Sequence, residues 1–374
     1  MTAKKRPDYI LMDKHTKSIV FGYQQRAIQR MLDFDYICRR ETPSVVAIVN
    51  PTRAGTHKCF WGTKEIHIPM YRTLAEATKY HKEADFMVNF ASFRSAYPTT
   101  KEALETKTIR TVAVIAEGVP ESRTKELIKI ANDKNKWIIG PATVGGIAAG
   151  GFRIGNTAGQ LDNIVASKLH RQGSVAYVSK SGGLSNELNN IIAMNTDGVY
   201  EGVAIGGDAY PGSNFIQHMM RYEKNPDIKM MVLLGEVGGT DEYEVVEAIK
   251  KKKITKPVVA WCIGTCSKVF PAEVQFGHAG ARAGADRETA DAKNKALKDV
   301  GAAVPQSFDD FDEQIKKTFD KLVKSGKHKP IADVEPPIIP VDYAVALKTG
   351  MIRRPTQFNS SISDDRGEEL RYCG

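Results

Sequence analysis

The chain has 374 residues and a formal net charge of +9, with 42% hydrophobic and 26% charged residues. The length suggests two domains and a remainder, and the composition is that of a globular protein rather than a disordered or fibrous one. No apolar stretch reaches the roughly eighteen residues that span a bilayer, no secretory signal follows the basic N terminus, and five cysteines are too few for a disulfide framework. We therefore expect a cytoplasmic protein without a membrane segment.

Short apolar runs alternate with amphipathic stretches in the first half of the chain. The pattern predicts strands at 18–21, 45–49, 85–90, 111–116 and 137–140. It predicts helices at 24–32, 73–81 and 121–135. Strands that alternate with helices indicate βαβ units and a parallel sheet. Residues 1–165 are therefore predicted to form one doubly wound α/β domain.

The same alternation restarts in the second half. The pattern predicts strands at 174–179, 202–205, 229–234 and 258–263, and helices from 185 onward, at 214–222 and at 309–324. Residues 166–332 are therefore predicted to form a second α/β domain. The prolines at 336, 337 and 340 fit neither a helix nor a central strand. Residues 333–374 are predicted to be an extended linker or docking arm.

The excess positive charge is spread along the chain. Its densest run is Lys250–Lys253, which follows acidic residues at Asp241 and Glu242 and apolar helix positions between them. Acids in the first turn and lysines in the last complement the helix dipole. No aromatic residues are interleaved for base stacking. The pattern indicates a solvated helix end, and we expect neither a nucleic-acid partner nor a membrane partner.

Two glycine-containing turns follow predicted strands. Gly22 lies between the first strand and its helix, where doubly wound folds bind phosphate, but the full G-x-G-x-x-G fingerprint of a nicotinamide-dinucleotide enzyme is missing. Ser181, Gly182 and Gly183 stand between a strand and a helix and offer hydroxyl and backbone N–H groups to an anion. The serine is also an ordinary helix cap. We favour phosphate binding at the second turn.

One histidine and two carboxylates are the candidate catalytic residues. His278 stands in a Gly-His-Ala-Gly loop, where small neighbours leave the imidazole accessible as a nucleophile. The pattern alone equally allows a surface histidine without a function. Glu117 and Glu236 each follow a predicted strand, on the edge of a parallel sheet where ligands bind. A carboxylate there can hold one imidazole tautomer and leave the other nitrogen nucleophilic.

With these motifs in place, the chain resembles the succinyl-CoA synthetase alpha subunit and, over nearly its whole length, the ATP-citrate lyase family. The resemblance rests on these blocks: GHAG at 277–280, GEVGG at 235–239, IAEGVPE at 115–121, SKSGG at 179–183, GPATVGG at 140–146, GVAIGGDAYPGSNF at 202–215, DGVYEG at 197–202, NFASFRSAY at 89–97 and DDRGEEL-x-Y at 364–372. It implies a Rossmann-like CoA-binding domain followed by a flavodoxin-like CoA-ligase domain.

The resemblance also implies an activity. ATP would phosphorylate His278, the phosphoryl group would activate a citrate carboxylate, and the thiol of CoA would give citryl-CoA, which is cleaved to acetyl-CoA and oxaloacetate. Ser181, Gly182 and Gly183 would bind the phosphate, and Glu236 and Glu117 would orient the histidine. Gly22, Ser92 and Ser95 would contact CoA. Glu236 would also bind Mg²⁺, although a single carboxylate supplies few of the oxygen ligands that Mg²⁺ needs.

The resemblance leaves modules to be supplied from elsewhere. The family's ATP-grasp domain and its citrate-synthase-like lyase domain are not visible in this sequence, so we expect a hetero-oligomer with an ATP-grasp, beta-type subunit. Alone, the chain is expected to be inactive. Two alternatives stay open at this stage: an alpha-type subunit of a separate citryl-CoA or succinyl-CoA synthetase, and a non-catalytic CoA-binding module.

Overall fold

The part of the chain described by this computed structural model comprises residues 6–266, 275 and 277–338, and it is a mixed α/β fold with two sheets. Its strands are β1 (Ser18–Phe21), β2 (Val45–Val49), β3 (Gly55–Trp61), β4 (Lys64–Tyr71), β5 (Phe86–Asn89), β6 (Thr111–Val114), β7 (Trp137–Ile139), β8 (Gly146–Ala148), β9 (Phe152–Arg153), β10 (Val175–Ser179), β11 (Val199–Ala204), β12 (Met230–Glu236) and β13 (Val258–Ile263).

The helices lie between these strands and after them. They are α1 (Gln25–Ile37), α2 (Leu74–Tyr80), α3 (Phe93–Glu105), α4 (Glu121–Asp133), α5 (Leu161–Ala166), α6 (Gly182–Asn195), α7 (Phe215–Lys224), α8 (Glu242–Lys250), α9 (Ala290–Asp299) and α10 (Phe311–Lys324). The predicted elements recur with end shifts of a few residues, except that α1 extends five residues beyond its predicted end at Leu32.

The first sheet has the strand order β3-β4-β2-β1-β5-β6-β7. All neighbouring pairs are parallel except β3 with β4, which form an antiparallel hairpin at one edge. Without that edge strand, the order is the 3-2-1-4-5-6 arrangement of a Rossmann fold. The predicted Rossmann-like first unit is confirmed.

The second sheet has the strand order β13-β12-β10-β11-β8-β9. The four strands from β13 to β11 are parallel, and β8 and β9 add an antiparallel edge. The parallel part follows the 2-1-3-4 order of flavodoxin-like sheets. Both predicted doubly wound sheets are therefore present.

The central strands of both sheets are apolar because helices or the other sheet cover both of their faces. The residues of β1, β5, β6, β10, β11 and β12 are all buried, as expected for parallel strands without a solvent-facing side. One cluster of buried side chains extends from the first sheet to the second. In it the rings of Phe86 and Phe152 lie 5.0 Å apart, so the two layers share one core.

Several elements escaped the sequence prediction for physical reasons. The hairpin β3–β4 is largely exposed, so it lacks the apolar run by which the other strands are recognised. Helix α3 contains Pro98, a residue that disfavours helix interiors.

The lysines that follow α8 are exposed, as we expected for a solvated helix end.

The division into domains stays a prediction. Strands β8 and β9 precede the predicted boundary at residue 165 yet belong to the second sheet. Only the beginning of the predicted arm at 333–374 falls within the described residues, and 339–374 lie outside them. Within the described part, no helix is both long enough and apolar enough to cross a membrane.

Candidate active site

The site lies where the strand order of the second sheet reverses. The chain moves from β10 to β11 on one side and later to β12 on the other, so a crevice opens beyond the ends of β10 and β12. These ends are in register, with Ser179 opposite Leu234, and the N–H of Lys180 donates to the Leu234 carbonyl. The SKSGG and GEVGG motifs therefore emerge side by side.

His278 is bound to Glu236 in this crevice. Nδ1 of the imidazole lies 2.7 Å from Oε2 of the Glu236 carboxylate, which ends strand β12. The histidine side chain is 33% exposed and the carboxylate 3%. The hydrogen bond to Glu236 is the main cause of a raised pKa at His278, and burial acts in the opposite direction. A carboxylate that accepts from Nδ1–H leaves Nε2 as the free nucleophilic nitrogen.

Gly207 leaves the space that the side chain of His278 occupies. A Cβ built on Gly207 would lie only 2.4 Å from Cγ of His278. The Gly207 carbonyl also accepts the N–H of Gly280 at 3.2 Å, which ties the histidine loop to the turn after β11. The packing of His278 therefore requires glycine at position 207 of the GVAIGGDAYPGSNF motif. The sequence pattern did not reveal this role.

We expect Gly207→Ala to displace the imidazole. The added methyl group cannot fit, so His278 must move away from Glu236, and a misplacement of about 1 Å can reduce a rate about 100-fold. The measurement is the rate of phosphate incorporation at His278 in this variant. Gly326→Ala, just after α10, is the control, because a Cβ there meets nothing within 4 Å and Gly326 lines neither cavity beside His278. Equal loss in both variants would contradict the explanation.

The N terminus of α6 faces the histidine across a cavity of about 330 Å³. Its lining includes Gly182, Gly183 and His278. The Ser181 hydroxyl accepts the N–H of Leu184 and so caps the helix, while the first backbone N–H groups of the helix stay available for an anion. Of the three predicted phosphate-binding residues, Gly182 and Gly183 therefore line one cavity with the predicted nucleophile, and Ser181 caps the helix behind them.

Glu117 lies in the neighbourhood but does not contact the histidine. Its side chain follows β6 of the first sheet and lines both the 330 Å³ cavity and a second one of about 250 Å³, together with His278. Within the described part of the chain, the hydrogen bond to the imidazole comes from Glu236 and not from Glu117. Glu117 raises the pKa of His278 only by its charge, the smallest of several contributions.

Lys180 belongs to the SKSGG motif, but the sequence pattern predicts no role for it in the site. It is 7% exposed, its ammonium donates to the Asp208 carbonyl at 3.4 Å, and its charge opposes the raised pKa of His278. Among the described residues no carboxylate forms a direct ion pair with this ammonium, although its charge opposes, from farther away, the burial that raises the pKa of both Asp208 and Glu242. A buried cation that is not directly ion-paired favours a negatively charged ligand.

The residues predicted to contact CoA gather at the corresponding crevice of the first sheet. Gly22 follows β1 with φ +98°, and the next strand across the reversal is β5, in register with it. Ser92 and Ser95 are exposed at the start of α3, directly after β5, with their hydroxyl oxygens 3.5 Å apart. Phe90, beside Gly22, also lines the cavity that contains His278. The two crevices are thus adjacent.

The donors around Glu236 do not fit a resident magnesium ion. One carboxylate oxygen is used by His278, and only Oε1 is unpartnered. In the residues that the structure describes, no group of three His, Cys, Asp or Glu side chains could hold a metal. Mg²⁺ prefers six oxygen ligands, and a single carboxylate oxygen of Glu236 supplies only one of them.

Two protein-family models match the two halves of the fold. One described as a CoA binding domain matches residues 13–118, and one described as CoA-ligase matches residues 178–303. The first range contains the crevice of the first sheet, and the second contains His278 and Glu236.

Curated proteins match almost the whole chain. ATP-citrate synthase of Mus musculus is 57% identical over 366 residues, which is 97% of this chain and 34% of that protein. ATP-citrate synthase beta chain protein 1 of Oryza sativa is 56% identical over 364 residues, 97% of this chain and 60% of that one. The chain therefore spans about a third of the animal relative and three fifths of the plant one.

Solved structures agree with this result. The structure of ATP citrate lyase from Methanothrix soehngenii in complex with citrate and coenzyme A is 59% identical, with a TM-score of 0.91 over 96% of this chain and 58% of that one. A dinucleotide-forming acetyl-coenzyme A synthetase from Ca. Korarchaeum cryptofilum, at 15% identity and a TM-score of 0.59, shares the fold over 82% of this chain and 61% of that one.

Proposed function

The chain belongs to the ATP-citrate synthase, or ATP-citrate lyase, family as its CoA-binding and CoA-ligase portion, and we propose that it carries the citryl-CoA-forming half-reaction. The contact that carries the proposal is the 2.7 Å hydrogen bond between His278 Nδ1 and the buried Glu236. The same ring lines a cavity that the N terminus of α6 also lines, and the hydrogen bond leaves its Nε2 free.

In the first step the lone pair of Nε2 of His278 attacks the terminal phosphorus of ATP. The P–N bond forms, the P–O bond to ADP breaks, and the bonding electrons leave with ADP. Glu236 holds the Nδ1 proton throughout and stabilises the positive charge that develops on the ring. The N–H groups at Gly182 and Gly183 and the ammonium of Lys180 would stabilise the phosphoryl oxygens.

In the second step a carboxylate oxygen of citrate attacks the phosphorus. The P–N bond breaks, Nε2 recovers its lone pair, and citryl phosphate forms. The sulfur of CoA then attacks the activated carbonyl carbon, inorganic phosphate leaves, and the thiol proton passes to solvent or a base. We propose that Gly22, Ser92 and Ser95 contact CoA, with residues 1–165 as the CoA-binding domain and 166–332 as the phosphohistidine domain.

We propose that the missing chemistry comes from further modules. The chain spans 34% of the mouse relative and 60% of the rice beta chain, so each of them contains sequence beyond this portion. An ATP-grasp module would bind ATP and deliver it to His278, and a citrate-synthase-like module would cleave citryl-CoA. The arm at 333–374 would be the docking or linking segment between portions.

The decisive experiment supplies the chain with an ATP-grasp chain of the same family, ATP, magnesium and CoA. We expect acid-labile, base-stable phosphate on His278, and citryl-CoA when citrate is added. Succinate in place of citrate tests the succinyl-CoA alternative, and product with succinate alone would overturn the citrate assignment. CoA binding without any phosphorylation would identify a non-catalytic CoA-binding module instead.

Replacing Lys180 tests the predicted phosphoryl contact. Because the buried ammonium has no carboxylate of the described residues within ion-pair distance, Lys180→Met removes a charge whose proposed direct partner is the phosphoryl group. Loss of one such electrostatic contact costs about 10²- to 10³-fold in rate. The measurement is the rate of His278 phosphorylation, with Lys295→Met, an exposed lysine on α9, as the control. An unchanged rate in Lys180→Met would refute the contact.

A further inference from the structure

We infer that Lys293 and Glu242 are positioning residues of this site, which act by clamping the backbone of Glu236 on both sides. Neither residue touches the imidazole. The inference rests on the proposed function, because it concerns how the nucleophilic nitrogen of His278 is selected.

The first half of the clamp is the ammonium of Lys293. This side chain on α9 is fully buried and donates to the carbonyl of Glu236 at 2.7 Å and to that of Gly238 at 2.6 Å. Two carbonyls at the end of β12 thus share one buried donor. An ammonium has three donors, and the third direction is used by the carboxylate of Glu242, at 2.7 Å.

The second half of the clamp is that carboxylate. Glu242 stands in the first turn of α8, is 2% exposed, and accepts the N–H of Glu236 through Oε1 at 3.3 Å. Both backbone groups of Glu236 are therefore bound by the two members of one buried ion pair. A buried ion pair is weak support for stability by itself, and because this pair binds both backbone groups of Glu236 we assign it a geometric role.

The residues on either side of Glu236 are tightly packed. A Cβ on Gly235 would lie 2.5 Å from Oε1 of Glu242, and one on Gly238 would lie 2.1 Å from the carbonyl oxygen of Gly280. The turn from 235 to 238 is thus held between Glu242 on one side and the histidine loop on the other. A shift of the Glu236 backbone is transmitted directly to the 2.7 Å contact with His278.

The chemical consequence concerns the tautomer of His278. While Glu236 accepts from Nδ1–H, the proton is kept on Nδ1 and Nε2 is the only nucleophilic nitrogen. If the carboxylate is displaced, both tautomers become populated, and the ring accepts a phosphoryl group at either nitrogen. The clamp thereby determines which isomer of phosphohistidine forms.

The test uses the variant Lys293→Met/Glu242→Gln, which removes both members of the ion pair, so that neither is left buried without the other. Lys295→Met, on the same helix but exposed, is the matched control. The tautomer of His278 is read from ¹⁵N-histidine NMR of the full chain, assigned by comparison with His278→Gln. Potassium phosphoramidate then serves as a phosphoryl donor that needs no partner protein, and ³¹P NMR separates the two phosphohistidine isomers.

We expect the wild-type chain and Lys295→Met to show the Nδ1–H tautomer and phosphate on Nε2 only. The double variant is expected to show mixed tautomers, phosphate on both nitrogens, and phosphorylation by ATP and the ATP-grasp chain that is slower by about tenfold to a hundredfold. A folded double variant with the wild-type tautomer and isomer overturns the clamp alone. A wild-type chain that takes no phosphate on His278 from ATP overturns the proposed function instead.

Discussion

His278→Gln is expected to abolish phosphorylation of the chain by ATP. The imidazole supplies the only attacking lone pair in the proposed first step, and an amide nitrogen is not a nucleophile at neutral pH. Glutamine can still donate an N–H to the Glu236 carboxylate, so the buried charge keeps a partner and the fold is retained. Phosphate that is stable in base and labile in acid should fall to background.

His67→Gln provides the matched control for this experiment. His67 also contacts a carboxylate, with Nε2 at 3.1 Å from Glu65, but both side chains are exposed on the edge hairpin. Loss of that histidine should leave phosphate incorporation unchanged. Equal labelling of His278→Gln and the wild-type chain would show that the phosphoryl group resides elsewhere, and it would remove the basis of the proposed function.

Glu236→Gln is expected to reduce the phosphorylation rate by about 10⁴-fold, as loss of the carboxylate that fixes the histidine tautomer does in a Ser-His-Asp triad. The amide can donate to Nδ1, which places the proton on Nε2 and so blocks the nucleophilic nitrogen. The side chain keeps its size, and strand β12 keeps its hydrogen bonds. The single-turnover rate of phosphate transfer measures the effect, and unchanged CoA binding shows that the first crevice is intact.

The pH dependence of this variant provides an independent readout. The hydrogen bond to Glu236 raises the pKa of His278, so the wild-type imidazole stays protonated to a higher pH than an ordinary histidine. Only the neutral ring attacks, and the wild-type rate should therefore rise with pH through that raised pKa. In Glu236→Gln the rise should shift to lower pH. A rise at the same pH in both proteins would show that Glu236 does not set the protonation of the ring.

The order of elements along the chain was enough to predict both sheets. Apolar runs such as Val45–Val49 and Val258–Ile263 are buried strands, and the helices between them impose parallel pairing. The same pattern failed at the β3–β4 hairpin, whose exposed, mixed sequence carries no strand signal by itself. It also failed at β8 and β9, because β8 pairs with β11, which is distant in sequence, and the two-residue strand β9 pairs in turn with β8.

The sequence by itself determined the fold class, because apolar runs that alternate with amphipathic helices are a local signal. The family resemblance of its motifs selected His278 as the candidate nucleophile, which the loop pattern alone equally allowed to be a surface histidine. Only the tertiary structure decided between the two carboxylates, since Glu236 and Glu117 follow strands of different sheets and distance to the imidazole is set by the packing of those sheets. The contacts on which the proposed roles of Lys180, Gly207, Glu242 and Lys293 rest were likewise visible only there. Their contacts join segments far apart in the chain, and no local pattern specifies such contacts.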